Sequence, residues 1–321
     1  MKRLVIRAVF FASVVILVFG SICGFELWCE LNAYRGEVRA PAEASVLVCN
    51  DSQAAMCVNP DVDSAFFNFS AHGRMMDQAY LALIDLFAAN PGRFRTVAVD
   101  ISPVAAVDAF DKSISDMGYS SQYYLLHWLH FRENRRDMTG QLAVFRDNMV
   151  GRRWRLFWRF LRGRGGFTSS ICGRFTPVME SCALTSPDNF RRQFRSRARM
   201  VNDAPALTAD APVFSCVDDI IRLARAHGAE PVIMTTPWHS ELLNACRPEK
   251  LAAFTKVVSD YAKRNGCRYV DFLRTPFPDA CWYDAQHLNL KGSKAFTPML
   301  RSLEFTHFLS AKMRLTPINK G

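Results

Sequence analysis

Short apolar runs alternate along this chain with longer stretches in which apolar positions recur at helical spacing. Ser45 to Cys49 reads as a first strand, and Asp77 to Ala89 as a helix with apolar positions at Tyr80, Leu81, Ile84 and Phe87, stopped by Asn90-Pro91-Gly92. Thr96 to Ile101 reads as a second strand. Beyond a long middle section, Val213 to Ala226 predicts a helix closed by His227-Gly228, Pro231 to Thr236 a strand, Pro248 to Asn265 a helix ending at Gly266, and Arg268 to Phe272 another strand. Strands separated by helices of this length predict an α/β fold with a mainly parallel sheet and helices on both faces, because parallel neighbours need crossover connections. The ligand crevice of such a sheet lies beyond the C-terminal ends of its strands. Ser52, Pro237 and Asp284 all follow predicted strands on that side.

A different pattern opens the chain. From Ala8 to Phe25 every residue is apolar or small and none is charged, which with its flanks is long enough for a helix to cross a bilayer. Lys2, Arg3 and Arg7 precede the run, so the positive-inside rule leaves the N-terminus cytoplasmic and the remainder outside. No small-x-small cleavage site follows closely, and Ile22 before Cys23 is too large for the usual lipid-attachment site, which favours an uncleaved signal anchor. The expected organisation is a transmembrane anchor and linker over residues 1–44, then one α/β domain over 45–321 carrying a basic insertion at about 104–210.

Charge sharpens the view of that insertion. The net charge is +10. Residues 151–200 hold twelve arginines against only Glu180 and Asp188, so this one region accounts for the whole surplus. Trp154, Phe157, Trp158 and Leu161 recur at helical spacing while Arg155, Arg159 and Arg162 lie on another face. The pattern fits a basic amphipathic helix in the headgroup layer of an anionic membrane, and equally an ordinary packed helix with solvated arginines. Nucleic acid is not an expected partner for a domain outside the cytoplasm. Eight of the ten cysteines lie beyond Cys29; Cys172 with Cys182 and Cys246 with Cys281 are candidate disulfide pairs, whereas Cys49 and Cys267 read as buried strand residues. No cysteine or histidine cluster has metal spacing, His127 and His130 reading as helix packing residues, and neither metal nor cofactor is expected.

The candidate chemistry sits at the two ends of the domain. Asn50-Asp51-Ser52 follows the first strand, and Asp284-Ala285-Gln286-His287 lies near the C-terminus. An Asp can hold an imidazole in one tautomer, the imidazole can take a serine proton, and the serine oxygen can attack a carbonyl. His239, in Thr235-Thr236-Pro237-Trp238-His239, follows a strand on the same side as a candidate substrate contact or a surface loop histidine.

These residues resemble the SGNH/GDSL hydrolase superfamily, in the membrane-anchored subset similar to the D-alanyl transfer proteins of lipoteichoic acid synthesis. The first family block, Gly-Asp-Ser, is matched by Asn50-Asp51-Ser52-Gln53. Asn68-Phe69-Ser70-Ala71-His72-Gly73 stands where the second block supplies an oxyanion-hole glycine, and the closing Asp-x-x-His is matched by Asp284 and His287, with Leu288-Asn289 and Gly292 also typical. Two departures stand out. Asn50 replaces a glycine, and the third block, Gly-x-Asn-Asp, has no counterpart after Ile101-Ser102-Pro103. Losing the donor that block supplies costs on the order of 2.7 to 4 kcal/mol of transition-state stabilisation.

The resemblance implies a flavodoxin-like (SGNH) sheet in which Ser52 is nucleophile, His287 base and acid, Asp284 its orienting group, and the amides of Ser52 and Gly73, with Asn68, the oxyanion donors. It implies an extracytoplasmic serine esterase or O-acyltransferase at the cell membrane, acting on acylated envelope glycans or lipids, with membrane lipid and a membrane O-acyltransferase as partners. The competing expectation is a non-catalytic envelope protein that keeps the fold for binding or assembly.

Overall fold

The computed structural model describes residues 2–71, 74, 76–104 and 187–301. The chain divides into two compact units, Met1–Arg39 with Ile114–Cys172, and Ala40–Ser113 with Gly173–Gly321. In the first unit, α1 is one helix over Lys2–Glu37. Apolar side chains such as Ile6, Phe10, Phe11, Ile16 and Leu17 are exposed along it. Among the described residues no helix is long and apolar enough to cross a membrane.

The second unit is built on a five-stranded sheet in which every pairing is parallel. In chain order its elements are β1 (Val46–Cys49), α2 (Ser52–Cys57), β2 (Phe66–Asn68), α3 (Met76–Ala89), β3 (Thr96–Asp100), α4 (Pro187–Asp203), α5 (Pro212–Ala226), β4 (Glu230–Thr235), α6 (Ser240–Ala245), α7 (Pro248–Arg264) and β5 (Arg268–Asp271). A last helix, α8, runs through residues 290–301. Strand order is β2-β1-β3-β4-β5. The chain therefore steps one way from β1 to β2 and the other way from β3 onward, which opens a crevice at the C-terminal ends of β1 and β3, the switch point of a flavodoxin-like sheet.

Burial explains why these runs are strands. Val46 to Cys49 and Val97 to Asp100 are buried throughout, as continuous apolar strands covered on both faces must be. On one face Val46, Val48, Phe66, Ala98, Met234 and Phe272 form a cluster with Ala54 and Cys57 of α2 and with Phe296 and Leu300 of α8. On the other, α5 packs against β3, β4 and α3. Full burial of side chains such as Leu47, Val97 and Ile233, none of them exposed, contributes roughly 1.5–3 kcal/mol each.

The expected strands and helices appear with ends shifted by a residue or two. Five elements lie outside the expectation: β2 of three residues, the six-residue helices α2 and α6, and the longer helices α4 and α8. The arginine-rich sequence does form a helix at its C-terminal end. In α4, Phe194, Ala198 and Val201 are buried, whereas Arg191, Arg195 and Arg199 are exposed. This helix packs against α6. The helical reading around Trp154 to Arg162, His127 and His130, and the Cys172–Cys182 pairing all lie outside the described residues.

The cysteines correct one expectation. Cys246 and Cys281 are not joined; both are buried free thiols, and burial pushes the Cys246 thiol up to about 11. Cys49 is a buried strand residue as expected, its thiol pushed by burial to about 12 against the opposing charge of Arg74. Cys267 is not a buried strand residue: it is only half-buried and precedes β5, in the turn that follows Gly266, with the Arg225 guanidinium 3.8 Å from its sulfur.

Candidate active site

The turn after β1 sets the first group. Asn50 has a positive φ of 139°, the single non-glycine residue with that sign among the described residues. Asparagine tolerates such backbone better than most residues. It is also held there, its Nδ2 donating to the Asp100 carbonyl at 2.6 Å and its own carbonyl accepting from the Ala71 amide at 3.1 Å. Asp51 then caps α2, its Oδ1 accepting from the Gln53 amide at 2.8 Å. Ser52 is thus the first residue of a helix, raised at the C-terminal edge of the sheet.

The second group rides on a tight loop between β5 and α8. Trp282 and Leu288 pair as an antiparallel bridge, and the amides of Tyr283 and Asp284 donate to the His287 carbonyl. Asn289 braces the base of the loop: its Nδ2 donates to the carbonyls of Ala280 and Trp282, and its Oδ1 accepts from the Gly292 amide at 3.0 Å. Gly292 is required by space. A Cβ there would sit 2.3 Å from the Cys281 carbonyl oxygen and 2.9 Å from the Leu288 side chain.

Across 235 residues of sequence these two pieces meet. Ser52 Oγ lies 2.8 Å from His287 Nε2, and His287 Nδ1 lies 2.8 Å from both carboxylate oxygens of Asp284. Because an ionised carboxylate only accepts, Nδ1 carries the proton, and the lone pair of Nε2 faces the serine hydroxyl. Burial raises the Asp284 carboxyl, but the hydrogen bond and charge of His287, with the amides of Gln286 and His287 at 2.9 Å, outweigh it. The net result is a carboxyl below its ordinary range. The arrangement can move a proton from Ser52 to His287 and support the imidazolium that forms.

The expected oxyanion donors fare differently. Gly73 lies outside the described residues. Asn68 is brought near the nucleophile's helix, but its amide points away from any oxyanion, because Nδ2 donates to the carbonyls of Ala54, Ala55 and Val58 at 2.9, 3.2 and 2.7 Å. The carboxamide closes the C-terminal end of α2: it adds a donor to the Ala54 carbonyl, which also accepts from the Val58 amide at 3.2 Å, and supplies one to the carbonyls of Ala55 and Val58. His239 is buried and not a surface loop residue. Its ring is 2% exposed, contacts Phe194 and Trp282, accepts the Glu241 amide on Nδ1 to cap α6, and places Nε2 3.3 Å from Asp279. Its backbone amide also donates to the Ala285 carbonyl inside the Asp284–His287 loop and so braces that loop.

Sequence reasoning missed a polar layer beneath the serine. Gln53 Oε1 accepts from the Trp238 indole at 2.8 Å and lies 3.4 Å from Thr236 Oγ1, which is 3.4 Å from Asp100 Oδ2. The Thr236 amide donates to Asp100 Oδ1 at 3.0 Å. Burial, then the charge of Asp51, raises the Asp100 carboxyl well above its ordinary range. The Thr236 hydroxyl stands as a donor between the Asp100 carboxyl and Gln53 Oε1. The available signal was Thr-Thr-Pro-Trp directly after a strand, on the crevice side.

No family model matches the chain, and no curated protein matches it. Among solved structures the chain is similar to one from Bacteroides fragilis NCTC 9343 described as a "putative acylhydrolase", at 10% identity and a TM-score of 0.41, over 84% of this chain and 93% of that one.

Proposed function

We propose that this protein is a serine esterase or O-acyltransferase of the SGNH type. The reading is carried by the hydrogen-bonded series Ser52, His287, Asp284, with the tautomer it demands. In the forward step His287 Nε2 takes the Ser52 proton as Oγ bonds to the ester carbonyl carbon, and the carbonyl pair moves to oxygen. Collapse then breaks the bond to the leaving alcohol, which takes its proton from His287. Water or a second hydroxyl completes the cycle, giving hydrolysis or transfer. The Ser52 amide and Gly73 are the proposed backbone donors to the oxyanion.

The proposed setting is the cell envelope. The proposed single-pass anchor, with the catalytic unit outside the cytoplasm, rests on the sequence alone, on the uncharged run Ala8–Phe25 preceded by Lys2, Arg3 and Arg7. The exposed arginines of α4 would favour an anionic surface, with acylated envelope glycans or lipids as substrates and a membrane O-acyltransferase as partner. Hydrolysis of a short-chain aryl ester by the full chain, abolished in Ser52→Ala, tests the chemistry; no turnover by folded wild type above the Ser52→Ala background would sink it. Release of the protein from membranes by alkaline carbonate would sink the anchor.

A further inference from the structure

The sheet leaves one place at this site without its expected donor. The family's third-block amide has no counterpart after Ile101-Ser102-Pro103; at the end of β3 the Asp100 carboxyl turns to Thr236, and Asn68 spends its amide on α2. Asn50, in the same turn, spends its Nδ2 on the Asp100 carbonyl, and Gln53 is a second carboxamide beside the nucleophile. It is 1% exposed and directly follows Ser52. Its orientation is chemically determined, because an indole N–H can only donate, so the atom 2.8 Å from Trp238 Nε1 must be the oxygen. The NH2 is therefore turned away from the β4 loop, and it makes no hydrogen bond among the described residues. An amide nitrogen with its oxygen anchored, in the residue next to the attacking serine, is a preorganised donor.

We propose that Gln53 Nε2 donates to the oxyanion and takes the part of the absent third-block donor, a catalytic assignment that rests on the serine-enzyme reading above. As the Ser52 Oγ–C bond forms and the proton passes to His287, the carbonyl electron pair becomes a full charge on oxygen, and Nε2–H stabilises it. Collapse to the acyl-enzyme removes that charge. Trp238 and Thr236 are positioning residues that hold Oε1 so that Nε2 cannot rotate away.

The test uses full-chain wild type, Gln53→Met, Gln53→Glu and Trp238→Phe with an alkyl fluorophosphonate, whose attack by Ser52 also places charge on an oxygen. Loss of one oxyanion donor lowers the rate by about 100 to 1000-fold. The expected result is a fall of that size in the second-order labelling rate for Gln53→Met, a larger fall for Gln53→Glu because its carboxylate repels the oxyanion, and a smaller one for Trp238→Phe. In each, labelling still ends at one adduct on Ser52, and with an aryl ester the fall lies in kcat with KM little changed. A folded Gln53→Met that labels within about threefold of wild type overturns the assignment while leaving the serine reading intact. Should Gln53→Met fail to fold, Gln53→Glu and Trp238→Phe decide alone, and wild-type rates in both overturn it. Wild type that neither labels nor turns over overturns the serine reading, and this assignment with it.

Discussion

Replacing Asn68 with alanine separates two roles that a carboxamide beside an active serine could serve. The side chain is 3% exposed, donates to three carbonyls at 2.7 to 3.2 Å and accepts from the Ser70 amide at 3.1 Å. With two N–H groups and three acceptors, one hydrogen is shared, so alanine removes about three to four hydrogen bonds and leaves carbonyls buried. At about 1 kcal/mol for each, with some further cost for the stranded groups, the loss is on the order of 3–5 kcal/mol. That is a large part of the roughly 5–15 kcal/mol typical of a whole domain. Urea unfolding of the full chain, followed by tryptophan fluorescence, reads it as a lower midpoint at similar slope. In the folded fraction the fluorophosphonate labelling rate of Ser52 should fall less than about tenfold, well short of the roughly 100-fold loss of an oxyanion donor. A variant that loses under about 1 kcal/mol yet labels about 100-fold more slowly would return Asn68 to the oxyanion hole and remove it from the end of α2.

Three further outcomes are expected. Burial raises the Asp100 carboxyl, so above pH 3.8 the unfolded chain loses a proton that the folded chain holds to higher pH, and stability is expected to fall by about 1.4 kcal/mol per pH unit until the folded group titrates. Asp100→Asn removes that slope, and parallel stability curves for the two proteins between about pH 5 and 7 would contradict it. Asp284→Asn keeps an Oδ1 for the Gln286 and His287 amides but presents an NH2 to Nδ1, forcing the His287 proton onto Nε2; kcat on an aryl ester should drop on the order of 10^4-fold with the melting temperature little changed. Gly292→Ala drives a methyl into the Cys281 carbonyl and Leu288, so a loss of about 1–3 kcal/mol and slower labelling of Ser52 are expected together, and an unshifted urea midpoint would show that the loop yields freely.

The sheet was legible because parallel strands buried on both faces read as continuous apolar runs, which β1, β3 and β4 are. β2 escaped because three residues, Phe66 to Asn68, give no periodicity to read, and they form a strand only by pairing with β1. α2 escaped for a related reason, being too short to persist without Asn68 at its end. Asp284 and His287 were visible since their coupling is local, three residues apart, and Ser52 because a serine after a first strand lands on the crevice side. Gln53 carried no such mark. Its partner Trp238 lies 185 residues away, and only the closed sheet brings the two together. Asn68 misled because the same residue type that stabilises an oxyanion also closes a helix end, and direction alone tells the two apart. His239 shows the same limit: its place after β4 was readable, but Phe194 and Trp282, which enclose it, come from distant segments.

Every functional step described above depends on Ser52 being a nucleophile driven by His287. Intact-mass measurement of the folded full chain after exposure to an alkyl fluorophosphonate decides whether it is. One adduct per chain is expected, mapped to Ser52, absent in Ser52→Ala and strongly slowed in His287→Ala. A folded wild-type chain that remains unmodified, or one whose adduct survives in Ser52→Ala, would show that Ser52 is not the nucleophile.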